Sequence, residues 1–238
     1  MQYCFHHIPK TAGSSLQLRL SHREYIGQLP KGSTLIVYPM GADTRFYRVC
    51  EDPEFDETQN IKTAFERTYQ QPRSKRSANI VMGHLTTVGQ VGKHYTWLRH
   101  PLERDVSHYN YDRKFGNTVA EDFETHERSL AGNFQTIWLY KFYLGRMDTP
   151  PIEKMFSVVK DTLHNKFEKV WTSENFETSW DYVANILDVD TEPRLQSNIG
   201  GSAYAKAASS SKLSKDFILW HETHNKYDYE LYEIFNID

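Results

Sequence analysis

The sequence predicts an α/β fold in which a mostly parallel sheet is flanked by helices, in a single domain covering residues 1–238. Short apolar runs typical of strands alternate with segments typical of helices, and this alternation indicates a parallel sheet with helices on both faces. A chain of 238 residues, 39% of them hydrophobic, has the size and composition of one α/β domain with a sizeable core. No internal repeat and no long linker divides the chain.

The predicted elements follow from local patterns. Strands are predicted at residues 3–8, 33–39, 79–84, 94–99 and 169–172. Ser14 or Ser15 is a suitable N-cap for a helix over 16–24, and Pro101 suits the first position of a helix over 101–115. Further helices are predicted at 61–70, 130–144, 152–163, 176–187 and 212–235. The stretches at 43–57, 70–77 and 200–211 are predicted to be loops.

The composition excludes several classes of protein. The formal net charge of −3 gives no sign of a nucleic-acid or membrane-surface partner. Two cysteines, Cys4 and Cys50, offer neither a disulfide framework nor metal-ligand spacing, and Cys4 is expected to be buried. We find no secretory leader, no apolar run long enough to span a membrane and no Asn-x-Ser/Thr site. We therefore expect a cytoplasmic protein without a metal, although a trimmed lumenal domain would look similar.

The segment between the first strand and the first helix has the features of a phosphate-binding loop. A helix N-terminus presents free N–H groups and a partial positive charge, and Gly13 lets the backbone approach an anion. The candidate ligand-binding residues of this P-loop-like unit are Lys10, Thr11, Ala12, Gly13, Ser14 and Ser15. Lys10 precedes Gly13, whereas a Walker A loop has its lysine after the second glycine. An ordinary strand-to-helix turn with a capping serine is the alternative interpretation.

A second candidate motif covers residues 97–109, WLRHPLERDVSHY. Arg99 lies where the fourth predicted strand ends, and Ser107 lies two turns into the following helix. An arginine and a hydroxyl that converge at this edge are suited to hold a second phosphate. The alternative is a helix start with a surface arginine and a solvated serine.

Together, the two motifs resemble those of the PAPS-dependent sulfotransferases, which use 3′-phosphoadenosine-5′-phosphosulfate as donor. PKTAGSS is similar to the 5′-phosphosulfate loop of that family, and LRHPLERDVSHY is similar to its 3′-phosphate motif. The resemblance is closest to the carbohydrate branch, which includes the heparan sulfate 2-O-sulfotransferases and related bacterial enzymes. It extends loosely to residues 82–84, 133–136 and 228–232. His100 stands where many members carry Asp.

The resemblance implies roles for the candidate residues. The residues from Lys10 to Ser15 would hold the 5′-phosphosulfate, and Arg99 with Ser107 would hold the 3′-phosphate of the donor PAPS and the product PAP. Lys10 would also stabilise the charge on the bridging oxygen as the sulfuryl group leaves. No metal is implied.

The candidate general base is His84. A histidine has a pKa suited to taking the proton of an attacking hydroxyl. His84 follows a strand and a glycine, so it is expected at the carboxyl edge of the sheet, where ligand clefts form in α/β proteins. The resemblance points to the same residue, since the Gly-His segment of the heparan sulfate 2-O branch carries the catalytic histidine. His7 and Glu103 are the rival candidates.

The acceptor is less clearly indicated than the donor. The resemblance implies a hydroxyl-bearing acceptor, expected to be a glycan. A basic cluster at Arg73, Lys75 and Arg76 could attract an anionic glycan or be a solvated loop. Trp138 and Tyr140 could stack on a sugar or belong to the core.

Residues 202–215 could close over the nucleotide through Lys206 or Lys212. A P-loop kinase relative and a non-catalytic glycan- or nucleotide-binding module are the competing interpretations, and the sequence does not predict an oligomeric state.

Overall fold

The structure is a computed structural model that describes residues 2–25, 29, 35–38, 80–84, 86, 89, 92–146, 148–192, 194 and 208–236. For residues 21, 23–25 and 35–38 it describes the backbone alone. The predicted helix at 61–70, the predicted loops at 43–57 and 70–77 and most of the loop at 200–211 lie outside these residues. The basic cluster at 73–76 and Lys206 lie outside them as well.

A parallel sheet of five strands forms the centre of the described fold. Its order is β2-β3-β1-β4-β5, and every neighbouring pair is parallel. The strands are β1 (Tyr3–His6), β2 (Leu35–Tyr38), β3 (Ile80–Gly83), β4 (Lys93–Leu98) and β5 (Phe167–Thr172). Each lies within or overlaps a predicted strand, so the predicted parallel sheet is confirmed.

Helices cover both faces of this sheet, as predicted. They are α1 (Gly13–Tyr25), α2 (Pro101–Phe115), α3 (Phe123–Arg128), α4 (Phe134–Trp138), α5 (Ile152–Lys166), α6 (Phe176–Leu187), α7 (Lys215–His224) and α8 (Lys226–Phe235). A π-helical turn, Leu139–Tyr143, continues α4, and 3₁₀ turns lie at Ser173–Asn175 and Ser210–Lys212.

The inner strands β1, β3 and β4 are buried on both faces because each face meets its own layer of helices. Phe5, Tyr95 and Trp97 face a core formed with α1 and α6. Ile8 and Leu98 belong to the opposite core, formed with α4, α5 and α8. A third apolar cluster joins α2, α3 and α7. Such two-sided burial is typical of the inner strands of a parallel sheet. Cys4 is buried in β1, as expected.

Two predicted helices differ from the observed ones because residues far away in the sequence cap them. The helix predicted over 130–144 begins only at Phe134, since Asn133 adopts a left-handed conformation with φ 60°. The helix predicted over 212–235 is two helices that separate at Asn225. The side chain of Asn225 accepts a hydrogen bond from the Asn133 N–H at 2.7 Å, which fixes the break.

Two smaller differences concern helix starts. Ser14 and Ser15 lie inside the first turn of α1 rather than at its N-cap, and Ala12 accepts the first helical hydrogen bonds. Helix α3 was not among the predicted elements. It is six residues long and is capped by Asp122, whose carboxylate accepts the Thr125 N–H at 2.7 Å.

None of the described helices has the length and the apolar composition needed to cross a membrane.

Candidate functional site

The two sequence motifs meet at the carboxyl edge of the sheet, between neighbouring strands β1 and β4. After β1, the chain continues through α1 to β2, at one edge of the sheet. After β4, it continues through residues 99–100 and α2 toward β5, at the opposite edge. A point where consecutive connections lead to opposite sides of a parallel sheet is where ligand crevices form. The topology therefore places both motifs beside one crevice.

The backbone of the loop after β1 is shaped to bind an anion. Lys10 and Ala12 have positive φ values of 71° and 68°, whereas Thr11 and Gly13 do not. Alternation of left- and right-handed residues turns successive N–H groups toward one side and forms a nest for an anion. Within the described residues, the N–H groups of Ala12, Gly13 and Ser14 donate no hydrogen bond. They are thus available to a ligand at the N-terminus of α1.

Thr11 holds this loop in place. Its side chain is buried, and its hydroxyl donates to the carbonyl oxygen of Ile8 at 2.9 Å. The hydroxyl is therefore engaged within the loop, so the contribution of Thr11 to an anion site is mainly to the loop conformation.

Gly13 is required by the packing of His7. A Cβ atom at this position would lie 1.9–2.3 Å from ring atoms of the His7 imidazole. The imidazole therefore occupies the space that a side chain at position 13 would need. The glycine lets the first turn of α1 lie directly against the His7 ring.

The charges around Lys10 make this edge electropositive. The Lys10 ammonium lies 4.6 Å from the ring centroid of Tyr111. Burial, followed by the positive charges of Arg99 and Arg104, lowers the pKa of Lys10, and Asp112 offsets part of this effect. A partly desolvated lysine beside other cations is stabilised by an anion, since the anion relieves the repulsion.

Arg99 connects the second motif to the first. Its guanidinium donates from Nη1 to the carbonyl oxygen of Lys10 at 3.1 Å. Its backbone is held by the amide of Gln135, which accepts from the Arg99 N–H at 3.0 Å and donates to the Arg99 carbonyl at 2.8 Å. Burial lowers the pKa of Arg99, whose charge stays positive at neutral pH. The guanidinium is thereby fixed beside the anion-binding loop.

Ser107 lies half-buried in the second turn of α2, and its hydroxyl has no hydrogen-bond partner among the described residues. No recorded contact joins it to Arg99. The segment around residues 208–210 binds the same helix on either side of it. Asn110 exchanges two hydrogen bonds with the backbone of Ala208, at 2.8 and 3.0 Å, and Glu103 accepts from the Ser210 hydroxyl. The described end of the 202–215 loop thus lies along the helix face that carries Ser107.

The register of the sheet places His84 next to His7. His6 pairs with Gly83 across β1 and β3, and the His7 N–H donates to the Gly83 carbonyl at 3.0 Å. The next residues on the two strands are therefore neighbours, and their rings stack with centroids 4.0 Å apart. The ring of Trp138 meets His84 edge-on at 5.7 Å.

The hydrogen bonds of His84 define which of its nitrogens can accept a proton. Nδ1 lies 2.7 Å from the carbonyl oxygen of His7, and because a carbonyl only accepts, Nδ1 carries the hydrogen. Burial lowers the pKa of His84 to about 4, against a smaller effect of this hydrogen bond. The ring is therefore neutral at pH 7, and Nε2 holds the free lone pair of a general base.

His7 and Glu103, the other candidate bases, lie in environments that differ from that of His84. Burial lowers the pKa of His7 well below its usual value, and the charges of His84 and Lys10 lower it further. His7 thus lies between the candidate base and the anion-binding loop, as their structural link. Glu103 accepts a hydrogen bond from Ser210 at the side of α2.

Tyr140, a candidate for sugar stacking, is fully buried and donates to Asp148 at 2.9 Å.

Two side chains of this region were not among the sequence candidates. Arg104 is buried, forms an ion pair with Asp105 and lies 3.5 Å from the ring centroid of Phe134. Gln135 is buried and holds Arg99 as described above. The segment of Gln135 is part of the resemblance, but no sequence pattern reveals that its amide pairs with a backbone residue far away.

The arrangement combines an electropositive nest with a neutral imidazole at the same edge of the sheet. Such a site can bind a phosphate-bearing ligand and accept a proton from a group next to it.

No family model and no curated protein matches the chain. A solved sulfotransferase from Alicyclobacillus acidocaldarius is similar, with a TM-score of 0.43 and 16% sequence identity over 98% of this chain and 95% of that chain. At that level the likeness assigns neither the fold nor the activity of this chain.

Proposed function

We propose that this protein is a sulfotransferase that takes the sulfuryl group from PAPS and transfers it to an acceptor hydroxyl, expected to belong to a carbohydrate. The observation that carries the proposal is the junction of the two anion-binding motifs. Arg99, at the end of β4, donates a hydrogen bond to Lys10, in the loop after β1. The two sequence motifs that resemble the 5′- and 3′-phosphate motifs of the family thus adjoin at the carboxyl edge of the sheet.

The donor would be bound mainly by backbone and cationic groups. The N–H groups of residues 12–14 would hold the 5′-phosphosulfate at the helix N-terminus, with Lys10 supplying the full positive charge and Ser14 and Ser15 supplying hydroxyls. Arg99 and Ser107 would hold the 3′-phosphate. The segment at 208–210, which binds both flanks of Ser107, would then lie over this end of the nucleotide.

The transfer step would be an in-line displacement at sulfur. The acceptor oxygen forms a bond to sulfur while the bond between sulfur and the bridging phosphate oxygen breaks. The hydroxyl proton passes to Nε2 of His84, and the negative charge left on the phosphate of PAP is stabilised by Lys10. The product is a sulfate ester. Placing the reactants in line supplies much of the rate enhancement in such reactions.

The carbohydrate acceptor is supported by the resemblance to the carbohydrate branch of the family. The proposed site also leaves Nε2 of His84 on the side of the ring away from the His7 carbonyl that binds Nδ1. Trp138, a candidate for sugar stacking that lies beside His84, is only 9% exposed and belongs to the apolar core, so its ring supports the histidine rather than offering a stacking surface.

The proposal is tested by measuring ligand preference and turnover on the same preparation. PAP should bind more tightly than ADP or ATP, and labelled PAPS should transfer sulfate to members of a panel of glycans, lipids and small alcohols. Mg²⁺ should not raise the rate. Preference for ATP together with a strict Mg²⁺ requirement would favour a kinase, whereas PAP binding without turnover on any acceptor would favour a binding module. Either outcome would overturn the proposed activity.

A further inference from the structure

Three potential metal ligands meet on the surface of α2, in a cluster formed by His108, Asp112 and His126. His108 and Asp112 are four residues apart on α2 and so share one face of the helix. His126 comes from α3, which packs against that face. The candidate ligand atoms all lie within 4.8 Å of one another. The cluster lies outside the residues assigned to donor or acceptor binding.

The distances in the cluster do not correspond to hydrogen bonds. Oδ2 of Asp112 lies 3.6 Å from Nε2 of His108 and 3.9 Å from Nε2 of His126. Both separations exceed the length of a hydrogen bond. Nε2 of His126 is buried and has no hydrogen-bond partner among the described residues, although it points toward this carboxylate. The side chain of His126 is only 8% exposed, so this nitrogen is shielded from bulk solvent. A buried ring nitrogen without a hydrogen-bond partner requires an explanation.

Two of the three ligands have outer partners of the kind that metal ligands usually have, whereas Nδ1 of His108 is buried without a hydrogen-bond partner among the described residues. Nδ1 of His126 lies 3.1 Å from Oγ1 of Thr118, which can accept the Nδ1 hydrogen and leave the Nε2 lone pair facing Asp112. The other carboxylate oxygen of Asp112, Oδ1, accepts from Asn117 at 3.4 Å. Such partners fix the tautomer of a ligating histidine and the orientation of a ligating carboxylate.

We propose that His108, Asp112 and His126 bind one divalent transition-metal ion of the zinc class. Two imidazole nitrogens and one carboxylate oxygen suit Zn²⁺, whereas Mg²⁺ and Ca²⁺ prefer oxygen ligands. With metal–ligand distances near 2.1 Å, the ligands of a tetrahedral ion lie about 3.4 Å apart. The pairs at 3.6 and 3.9 Å need a closure of about 0.2 and 0.5 Å, and the two imidazole nitrogens lie within 4.8 Å of each other. Three protein ligands leave one position for water.

The charges around the cluster are mixed. Lys10 and Arg104 lie close enough to act on Asp112 and His108, and the ion pair with Asp105 offsets the charge of Arg104. His108 is 28% exposed, which gives an ion a route from solvent. The bound ion would tie α3 and the chain between residues 117 and 122 to α2, so its role is structural. It does not depend on the proposed sulfuryl transfer, and its test uses no donor or acceptor.

The test is metal binding by the full chain after chelator treatment. Equilibrium dialysis with Zn²⁺ alone should give one tightly bound ion per chain, and Co²⁺ should develop the visible absorption of a four-coordinate site. D112N and H126A should each weaken binding at least about tenfold, since each removes a ligand. The exposed His164 lies on α5, away from the cluster, and H164A should bind Zn²⁺ like the parent.

A second measurement covers variants that fold poorly. Zn²⁺ should raise the thermal unfolding midpoint of the parent chain and of H164A but not that of H108N, a substitution at a partly exposed position. Absence of tight Zn²⁺ binding by the parent would overturn the proposal. So would tight binding that survives both D112N and H126A, or that is lost in H84A instead, because the ion would then lie at another histidine pair.

Discussion

At the scale of single residues, His84 obtains its properties from burial and from one hydrogen bond. Burial keeps the imidazole neutral, against the smaller effect of the hydrogen bond that Nδ1 donates to the His7 carbonyl. Neutrality at pH 7 is a requirement for a base, because a protonated imidazole cannot accept the hydroxyl proton. The same burial moves the pKa of His84 away from the ordinary histidine value, which has a measurable consequence for the rate.

We predict that His84→Asn lowers kcat by about 10²–10⁴-fold, the usual loss when a general base is removed. An asparagine amide can still donate to the His7 carbonyl, but it offers no lone-pair nitrogen in place of Nε2. PAP affinity should therefore stay near that of the parent in a binding titration. His164→Asn, at an exposed position, is the control and should keep the parental kcat. Parental kcat in His84→Asn would make His84 structural and His7 and Glu103 the next candidates.

The pH profile of kcat/KM provides a second prediction for His84, because it reports the pKa of the free enzyme. Burial lowers that pKa to about 4. The base is then deprotonated throughout the neutral range, and kcat/KM should stay level on acidification until the pH approaches that value. A fall centred near the ordinary histidine pKa of about 6.5 would contradict the neutral, buried ring.

Arg99 contributes both to the loop and to the proposed 3′-phosphate site. We predict that Arg99→Ala weakens PAP binding by about 10–150-fold, corresponding to the roughly 1.5–3 kcal/mol of a charge-assisted hydrogen bond. ADP lacks the 3′-phosphate and should lose only the part that comes from the contact with the Lys10 carbonyl. Competitive titration of both ligands separates the two effects. Arg113→Ala, an exposed site on α2, serves as control, and equal losses for PAP and ADP would remove the 3′-phosphate assignment.

At the scale of elements, α4 and α8 cap one another. Asp228 accepts the N–H groups of Gln135 and Thr136 at 2.7 and 2.8 Å, together with the Thr136 hydroxyl at 2.7 Å. Asn133 in turn accepts the N–H groups of Tyr227 and Asp228 at 2.8 and 3.2 Å. Because Gln135 also holds the backbone of Arg99, this pair of caps fixes the second anion-binding motif.

We predict that Asp228→Ala destabilises the fold by roughly 2–4 kcal/mol, since it leaves two N–H groups and a hydroxyl buried without acceptors. The shift should be visible in the urea midpoint. PAP binding should weaken as well, because Gln135 loses its anchor. Asp216→Ala, at an exposed site in the first turn of α7, is the matched control. A parental urea midpoint in Asp228→Ala would show that water replaces the cap.

At the scale of the whole molecule, histidines that are partly or fully buried determine how stability depends on pH. Burial is the largest cause of a lowered pKa at five of them: His6, His7, His84, His100 and His108. In the unfolded chain these groups take up protons near pH 6.5, whereas in the folded chain they resist protonation. The unfolded state then binds more protons, so the stability that they contribute is complete above pH 6.5 and is lost as the pH falls through the folded pKa values.

We therefore predict that the unfolding midpoint falls as the pH is lowered from about 7.5 to 5, with uptake of protons on unfolding. Two carboxyls oppose this trend, because burial raises the pKa of Glu127 to about 8 and that of Asp228 to about 6. They are outnumbered by the five histidines. Urea titrations at several pH values measure the effect. A midpoint that is constant or rises on acidification would contradict the neutral state of the buried histidines.

Much of this fold is determined by patterns within single segments. The predicted helix at 176–187 agrees with α6 at both ends, because its amphipathic pattern is bounded by its own sequence. The strands and the glycine-containing loop after β1 were likewise recognisable, since alternating burial and backbone conformation depend on adjacent residues. The proximity of the Lys10 loop and Arg99 was foreseeable as well, because the carboxyl ends of parallel strands share one edge.

Only the tertiary structure decided what depends on residues far apart in the sequence. The ends of α4 and α8 are set by mutual caps between residues more than 90 positions apart, so both helices were mispredicted from local patterns. The stacking of His84 on His7 depends on the register of β1 and β3, and the cluster of His108, Asp112 and His126 depends on how α3 packs on α2. The physical reason is that side-chain partners and burial arise from the packing of whole elements, whereas propensity and periodicity are properties of each element alone.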